Sequence, residues 1–284
     1  MELINPINWD ENVVADYRER IIIDPDSPIL AFKASRDRYT NLPRQEQYVG
    51  KSYLGSKQSE DALTWNVFRT LQEVERLDIV SNMLEIGQPR GLLLWTLAPT
   101  IDDINAELQY TTGALIRQFD GVFRGQMTEP DVVLLGTTGI AVIECKLSEP
   151  NKAPAHLWEG SSESVNKRLK IYKEALPNLV DERANNEDIA KVYQLLRMAF
   201  YATKLGAHFQ IEPVIISLAN EKNWTIEIRK IRKSPSQLWD IFHNQILGRE
   251  CLRCDNLTWQ TVLGSIRETS LQGLTKYLLT HPCL

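Results

Sequence analysis

The chain has 284 residues and a mass of 32.6 kDa, with 43% hydrophobic, 24% charged and 8% aromatic residues, a balance that excludes a disordered segment, a collagen-like repeat and a disulfide-framed miniprotein. Its 37 acidic and 32 basic residues give a formal net charge of -5, so any binding to nucleic acid must come from a local basic patch. The opening MELINPINWDENVV lacks a basic flank before an apolar core, and no later stretch reaches about 18 uninterrupted apolar residues, so a cytoplasmic chain without a membrane contact is expected.

Residues 1–57 mix short apolar runs with prolines and read as an irregular N-terminal portion, with one helix over Trp9 to Arg20. SEDALTWNVFRTLQEV then predicts a helix over 60–76: Ser59 is a cap, Glu60 and Asp61 sit at the positive helix end, and Leu63, Val67, Leu71 and Val74 form an apolar stripe. Three strands are expected next, at Gly113 to Phe123, Asp131 to Leu135 and Ile140 to Leu147, the last two joined by GTTG, whose glycines suit a tight antiparallel reversal. Residues 151–186 are polar and charged. A helix over 186–205 is expected to stop at Gly206, followed by a strand at 213–218. This is an α/β pattern: an antiparallel meander plus a further strand, flanked by helices. The divisions expected are 1–57, a core at 58–225 and a C-terminal extension at 226–284 belonging to the same globule.

The chemistry concentrates in EPDVVLLGTTGIAVIECKL. Strand side chains alternate, so Glu144 and Lys146 share a face of an otherwise apolar strand while Cys145 points to the other. In a hairpin, Asp131 at the start of its strand lies beside the far end of its neighbour, where Glu144 and Lys146 stand. Two carboxylates at a sheet edge suit a hard divalent cation such as Mg²⁺. Such an ion polarises a scissile phosphate and lowers the pKa of its water. A lysine alongside orients or deprotonates that water and offsets charge developing on the phosphate.

Pro130, Asp131, Glu144 and Lys146, in this order and spacing, resemble the signature of the PD-(D/E)xK nuclease superfamily, the restriction-endonuclease-like fold. The expected order of helix, meander, helix and strand resembles that superfamily too. The resemblance implies a restriction-endonuclease-like core that hydrolyses DNA phosphodiester bonds with Mg²⁺ or Mn²⁺, as an endonuclease in restriction, defence or repair. Asp131, Glu144 and the backbone carbonyl of Cys145 would hold the metal, Lys146 would act on water or phosphate, and Glu60, with Asp61 as its substitute, would assist as an additional acidic residue. Gln194, Arg197 and Tyr201 fall on one helical face; by the resemblance Gln194 helps position the site, and Arg197 and Tyr201 are candidates for contact with the nucleic acid backbone. The alternatives are an RNA-directed nuclease and an idle nuclease-fold module that only binds nucleic acid. Double-strand cutting generally takes two active sites, which makes a homodimer an expectation; no helix-turn-helix or zinc-finger reader is evident, which leaves room for a partner protein that supplies specificity.

Other patterns carry less. Asp120 is read as a strand-end turn residue. The four cysteines, Cys145, Cys251, Cys254 and Cys283, are too few for a disulfide framework, and His281-Pro282-Cys283 is a poor second zinc knuckle to complete Cys251 and Cys254. Gly50-Lys51-Ser52 lacks the earlier glycine of a phosphate-binding loop, Gln45 standing in its place. The basic clusters Lys167, Arg168, Lys170, Lys173 and Arg229, Lys230, Arg232, Lys233 are the best candidates for sequence-blind phosphate contact. Trp158, Trp224 and Trp239 are read as packing residues.

Overall fold

The computed structural model describes residues 7, 9–39, 46–119, 129–147, 170–172, 174–184, 189, 192–220, 226–228, 231–233, 239–248, 252–267, 271–282 and 284. Its elements are α1 (Pro28–Arg36), α2 (Glu60–Glu73), α3 (Asp78–Met83), β1 (Pro89–Leu94), α4 (Asp103–Phe119), β2 (Val132–Gly136), β3 (Gly139–Lys146), α5 (Tyr193–Phe209), β4 (Glu212–Ala219), β5 (Ile226–Ile228), β6 (Ile231–Lys233), β7 (Arg253–Thr258), α6 (Trp259–Arg267) and α7 (Gln272–Thr280). They form two compact units, residues 1–80 with 258–284, and residues 81–257.

In the first unit α2 starts where the capping pattern places it, the Ser59 hydroxyl accepting the Ala62 N–H at 3.0 Å. The helix buries Leu63, Trp65, Val67, Phe68 and Leu71. Its polar core residues are satisfied by the chain at 20–23: Asn66 accepts the Ile22 N–H at 3.0 Å and donates to the Arg20 carbonyl at 2.7 Å, and the Trp65 indole donates to the Ile23 carbonyl at 2.9 Å. The helix expected over Trp9 to Arg20 is reduced to one 3-10 turn, Tyr17–Arg20. Val13 and Val14 are instead held extended, Val13 bridging Ser56 and the Val14 N–H donating to the Gly55 carbonyl at 3.0 Å, so tertiary pairing overrides local helical spacing.

The second unit is built on a five-stranded sheet in the order β1-β2-β3-β4-β7. β1 with β2 and β2 with β3 are antiparallel, and β3 with β4 is parallel. A separate antiparallel pair joins β5 to β6. Leu93, Val133, Leu135, Ile140, Val142 and Ile215 belong to a buried cluster with residues of α4 and α5. α5 packs on β3 and β4, and α4 on β1.

The expected antiparallel meander exists, but its first strand is β1; residues 113–119 of the strand expected there lie in α4, and 120–123 lie outside the described residues. Ile116 and Phe119 are locally strand-like, yet Leu108, Thr112, Ile116 and Phe119 recur at helical spacing and all are buried. The start of α4 is fixed by Asp102, whose carboxylate accepts the Asn105 N–H at 2.8 Å; Asn105 in turn accepts the Leu92 N–H at 2.8 Å and ties the helix to β1. The GTTG reversal joins β2 to β3 as expected. Its glycines serve close approach: a Cβ on Gly136 would penetrate the Ile86 carbonyl, and one on Gly139 would lie 2.9 Å from the Ile86 side chain. α5 runs past its expected stop. Gly206 lies inside it, where a Cβ would meet the Ile211 carbonyl at 2.9 Å and the Pro213 ring at 3.0 Å, and Gln210 closes the helix with φ +56°. Residues 185–188 and 190–191, part of the expected start of that helix, lie outside the described residues.

Candidate active site

The register of the sheet builds the site. Val133 faces Val142, and Val132 faces Ile143, so Asp131 comes next in line opposite Glu144. On the other side of β3, Glu144 faces Ser217 and Lys146 faces Ala219. Paired residues put their side chains on one side of a sheet. Asp131, Glu144, Lys146 and Ser217 therefore share the face that carries Val133, Val142 and Ile215, at the end of the sheet where β3 finishes.

Glu144 is 2% exposed and Lys146 8%, and the Lys146 Nζ lies 2.8 Å from the Glu144 Oε1. The other oxygen of that carboxylate, Oε2, is buried with no hydrogen-bond partner among the described residues. Asp131 accepts the Cys145 backbone N–H at 2.8 Å through Oδ2. In an extended strand the N–H and C=O of one residue point to the same side, so the Cys145 carbonyl faces the Asp131 side as well. Lys146 alternates: its carbonyl accepts the Asn220 N–H at 3.1 Å, on the β4 side. The Cys145 side chain is fully buried on the opposite face, as the strand alternation predicts.

This donor set fits a hard divalent cation. It offers two carboxylates and a strand-end carbonyl, all oxygen, with one buried carboxylate oxygen free of any described hydrogen bond. Among the described residues no three His, Cys, Asp or Glu side chains gather into one group. Glu60 belongs to the other compact unit, in the first turn of α2, where its carboxylate also favours the helix dipole.

The parallel β3-α5-β4 crossover brings the start of α5 back to the end of the sheet where Glu144 and Lys146 lie. Gln194, half-buried in its first turn, is therefore at the site end. Arg197 and Tyr201 continue along the same helix face toward the interior and are 2% and 0% exposed. The Tyr201 ring packs edge-on to Phe200 with centroids 5.9 Å apart. Lys170 is exposed and pairs with Glu174 at 3.8 Å. Lys167, Arg168, Lys173, Arg229, Lys230, Asp120, Trp158, Trp224, Cys251 and Cys283 lie outside the described residues. Trp239 packs against Phe242. Burial pushes the Cys254 thiol up to about 12, with Asp255 adding to the shift, so this thiol stays protonated.

The sequence reading passed over Ser217 and Asn220, which are 3% and 5% exposed beside Glu144 and Lys146. Their signal is a serine inside the apolar run PVIISLA and an asparagine directly after it. It also passed over the reversal at the end of β1. Trp95 and Thr96 there both have positive φ, +50° and +68°; each such residue costs of order 1–3 kcal/mol.

A mixed sheet with an antiparallel meander, a parallel fourth strand and flanking helices is a restriction-endonuclease-like α/β core. Residues 3–281 match the model of the family described as restriction endonuclease associating with ARP, and the chain belongs to that family. Comparisons with curated proteins and with solved structures gave no match. Among the described residues, no helix is long and apolar enough to cross a membrane.

Proposed function

We propose that the chain is a metal-dependent nuclease of PD-(D/E)xK type that hydrolyses DNA phosphodiester bonds. The observation that carries this reading is the Glu144 carboxylate: buried at the end of β3, bonded on one oxygen by Lys146, with no described hydrogen bond on the other, and opposite Asp131 in the sheet. A buried carboxylate left half-satisfied is costly unless a ligand completes it. Asp131, Glu144 and the Cys145 carbonyl would hold Mg²⁺ or Mn²⁺. When bound, the ion polarises the phosphodiester and acidifies a water.

The protein's own groups do the rest. Asp131 is oriented by the Cys145 N–H, and Lys146 is held beside Glu144 by its ion pair. From there the ammonium donates to a phosphate oxygen or to the attacking water and offsets charge as the bond to the leaving oxygen breaks. Gln194, at the start of α5, is proposed to position the site. The family's description supports action together with an ARP partner, which would supply the target recognition that no evident reader motif provides.

The test incubates the wild type, Lys146→Ala and Asp131→Ala with supercoiled plasmid and linear duplex in Mg²⁺, Mn²⁺ or EDTA. Nicking or linearisation is expected in metal and should disappear in EDTA and in both variants. Retention of duplex without cutting in any metal would point instead to an idle binding module, and cutting of RNA alone to an RNA-directed nuclease.

A further inference from the structure

The end of β1 carries a reversal that the nuclease chemistry above does not use. Leu94 and Leu97 exchange two backbone hydrogen bonds, both 2.9 Å, around Trp95 and Thr96. With positive φ at both central positions this is the turn that Asn-Gly forms with little strain. A tryptophan and a β-branched threonine stand there instead, residues that the left-handed region disfavours. Trp95 is 2% exposed, so burial of its ring accounts for its presence. Thr96 is only partly buried, so burial offsets less of its strain.

The turn abuts the site. The Trp95 N–H donates to the Asp131 carbonyl at 3.1 Å, one step beyond the Leu94 and Val132 pair. Its exit is fixed as well, the Ala98 N–H donating to the Gln109 side chain at 2.7 Å. A strained, partly exposed hydroxyl residue directly after the one whose N–H is bonded to the Asp131 backbone is the kind of outlier from which function is inferred. We infer that Thr96 is a substrate-binding residue whose hydroxyl contacts a phosphodiester oxygen of nucleic acid held at Asp131 and Glu144. The inference rests on the nuclease reading above.

The experiment uses the full chain and compares wild type, Thr96→Gly and Thr96→Ser in three measurements: thermal unfolding, calorimetric binding of Mn²⁺ alone, and KM and kcat for cleavage of a labelled duplex. Glycine suits the turn, so Thr96→Gly should fold and unfold at a temperature no lower than wild type. Its Mn²⁺ affinity should be unchanged while KM rises about tenfold, the loss of one charge-assisted hydrogen bond, and Thr96→Ser should restore KM. An unchanged KM in Thr96→Gly, with Mn²⁺ binding intact in the wild type, overturns the role of Thr96 alone. If the wild type shows no Mn²⁺ binding that Asp131→Asn abolishes, or no cleavage, the nuclease reading fails and this role falls with it.

Discussion

The two ends of the β3 and β4 pair are built on opposite rules. Where the strands begin, backbone approaches backbone: Gly136 and Gly139 let Ile86 in, Gly206 lets Ile211 and Pro213 in, and Arg253 answers its charge with Glu85 at 3.5 Å, Glu212 at 3.4 Å and the Leu84 carbonyl. Where they end, Glu144, Lys146, Ser217 and Asn220 are buried together, and one carboxylate oxygen has no described hydrogen-bond partner. The first end holds the sheet together. The second spends stability on keeping charge in place, which is the arrangement expected where a site is made ready for a ligand.

The sharpest way to break the contrast is to alter the polar end and measure both chemistry and stability. Lys146→Ala should lower DNA cleavage by about a thousandfold while costing apo stability as well, because it leaves the Glu144 carboxylate buried without its cation. Lys146→Met together with Glu144→Leu should recover the stability and none of the cleavage; a double variant as unstable as Lys146→Ala would refute the view that this end sacrifices stability for a site.

At the packed end the effect should fall on stability alone. Gly136→Ala forces the chain away from the Ile86 carbonyl and should cost about 3 kcal/mol in denaturant unfolding, with kcat per folded molecule close to wild type. A large loss of kcat at full folding would show that the two ends are coupled.

The other compact unit supplies a comparison in which a titratable group is buried neutral. His281 is 5% exposed, packs edge-on to Trp9 at 4.9 Å, and is lowered to about 4 by burial first and the Arg20 charge second. A base whose folded pKa is depressed takes up its proton on unfolding. Stability should thus be full above about pH 6.5 and decline as pH falls from there toward 4, by at most roughly 3 kcal/mol. His281→Asn should flatten that part of a pH series of unfolding curves; an unaltered slope would assign the acid sensitivity elsewhere.

The smallest effect expected is ligand stabilisation of the polar end. Millimolar Mn²⁺ should raise the unfolding free energy by about 1–3 kcal/mol, and Asp131→Asn, which keeps an acceptor for the Cys145 N–H, should abolish the increase. A rise that survives in Asp131→Asn would place the ion elsewhere.

Much of this was legible in the sequence for a local reason. The 60–76 helix had a serine cap and a clean apolar stripe, and it appears as Glu60–Glu73. The GTTG reversal and the strands around it were readable because alternation and turn residues agree over a short stretch. β1 was missed, since LLLW is buried on both faces and shows no alternation, and the second half of α4 was misread because Ile116 and Phe119 favour strands locally while its buried stripe has helical spacing. The Asp102 cap was the available signal for that helix.

Asp131, Glu144 and Lys146 could be picked out as a set by order and spacing, because a hairpin of known register forces residues at the start of one strand beside the end of the next. What lies across β3 from them could not, since the parallel partner strand begins at residue 212 and is set beside β3 only by the α5 crossover. Ser217 and Asn220 come beside Glu144 and Lys146 through that assembly, and the Trp95–Thr96 reversal comes beside Asp131 through backbone angles no pattern of residue types announces. Local periodicity thus determined the hairpin and its charged residues. The tertiary structure decided their burial, their neighbours and the half-satisfied carboxylate, because desolvation depends on what packs above a strand and not on the strand itself.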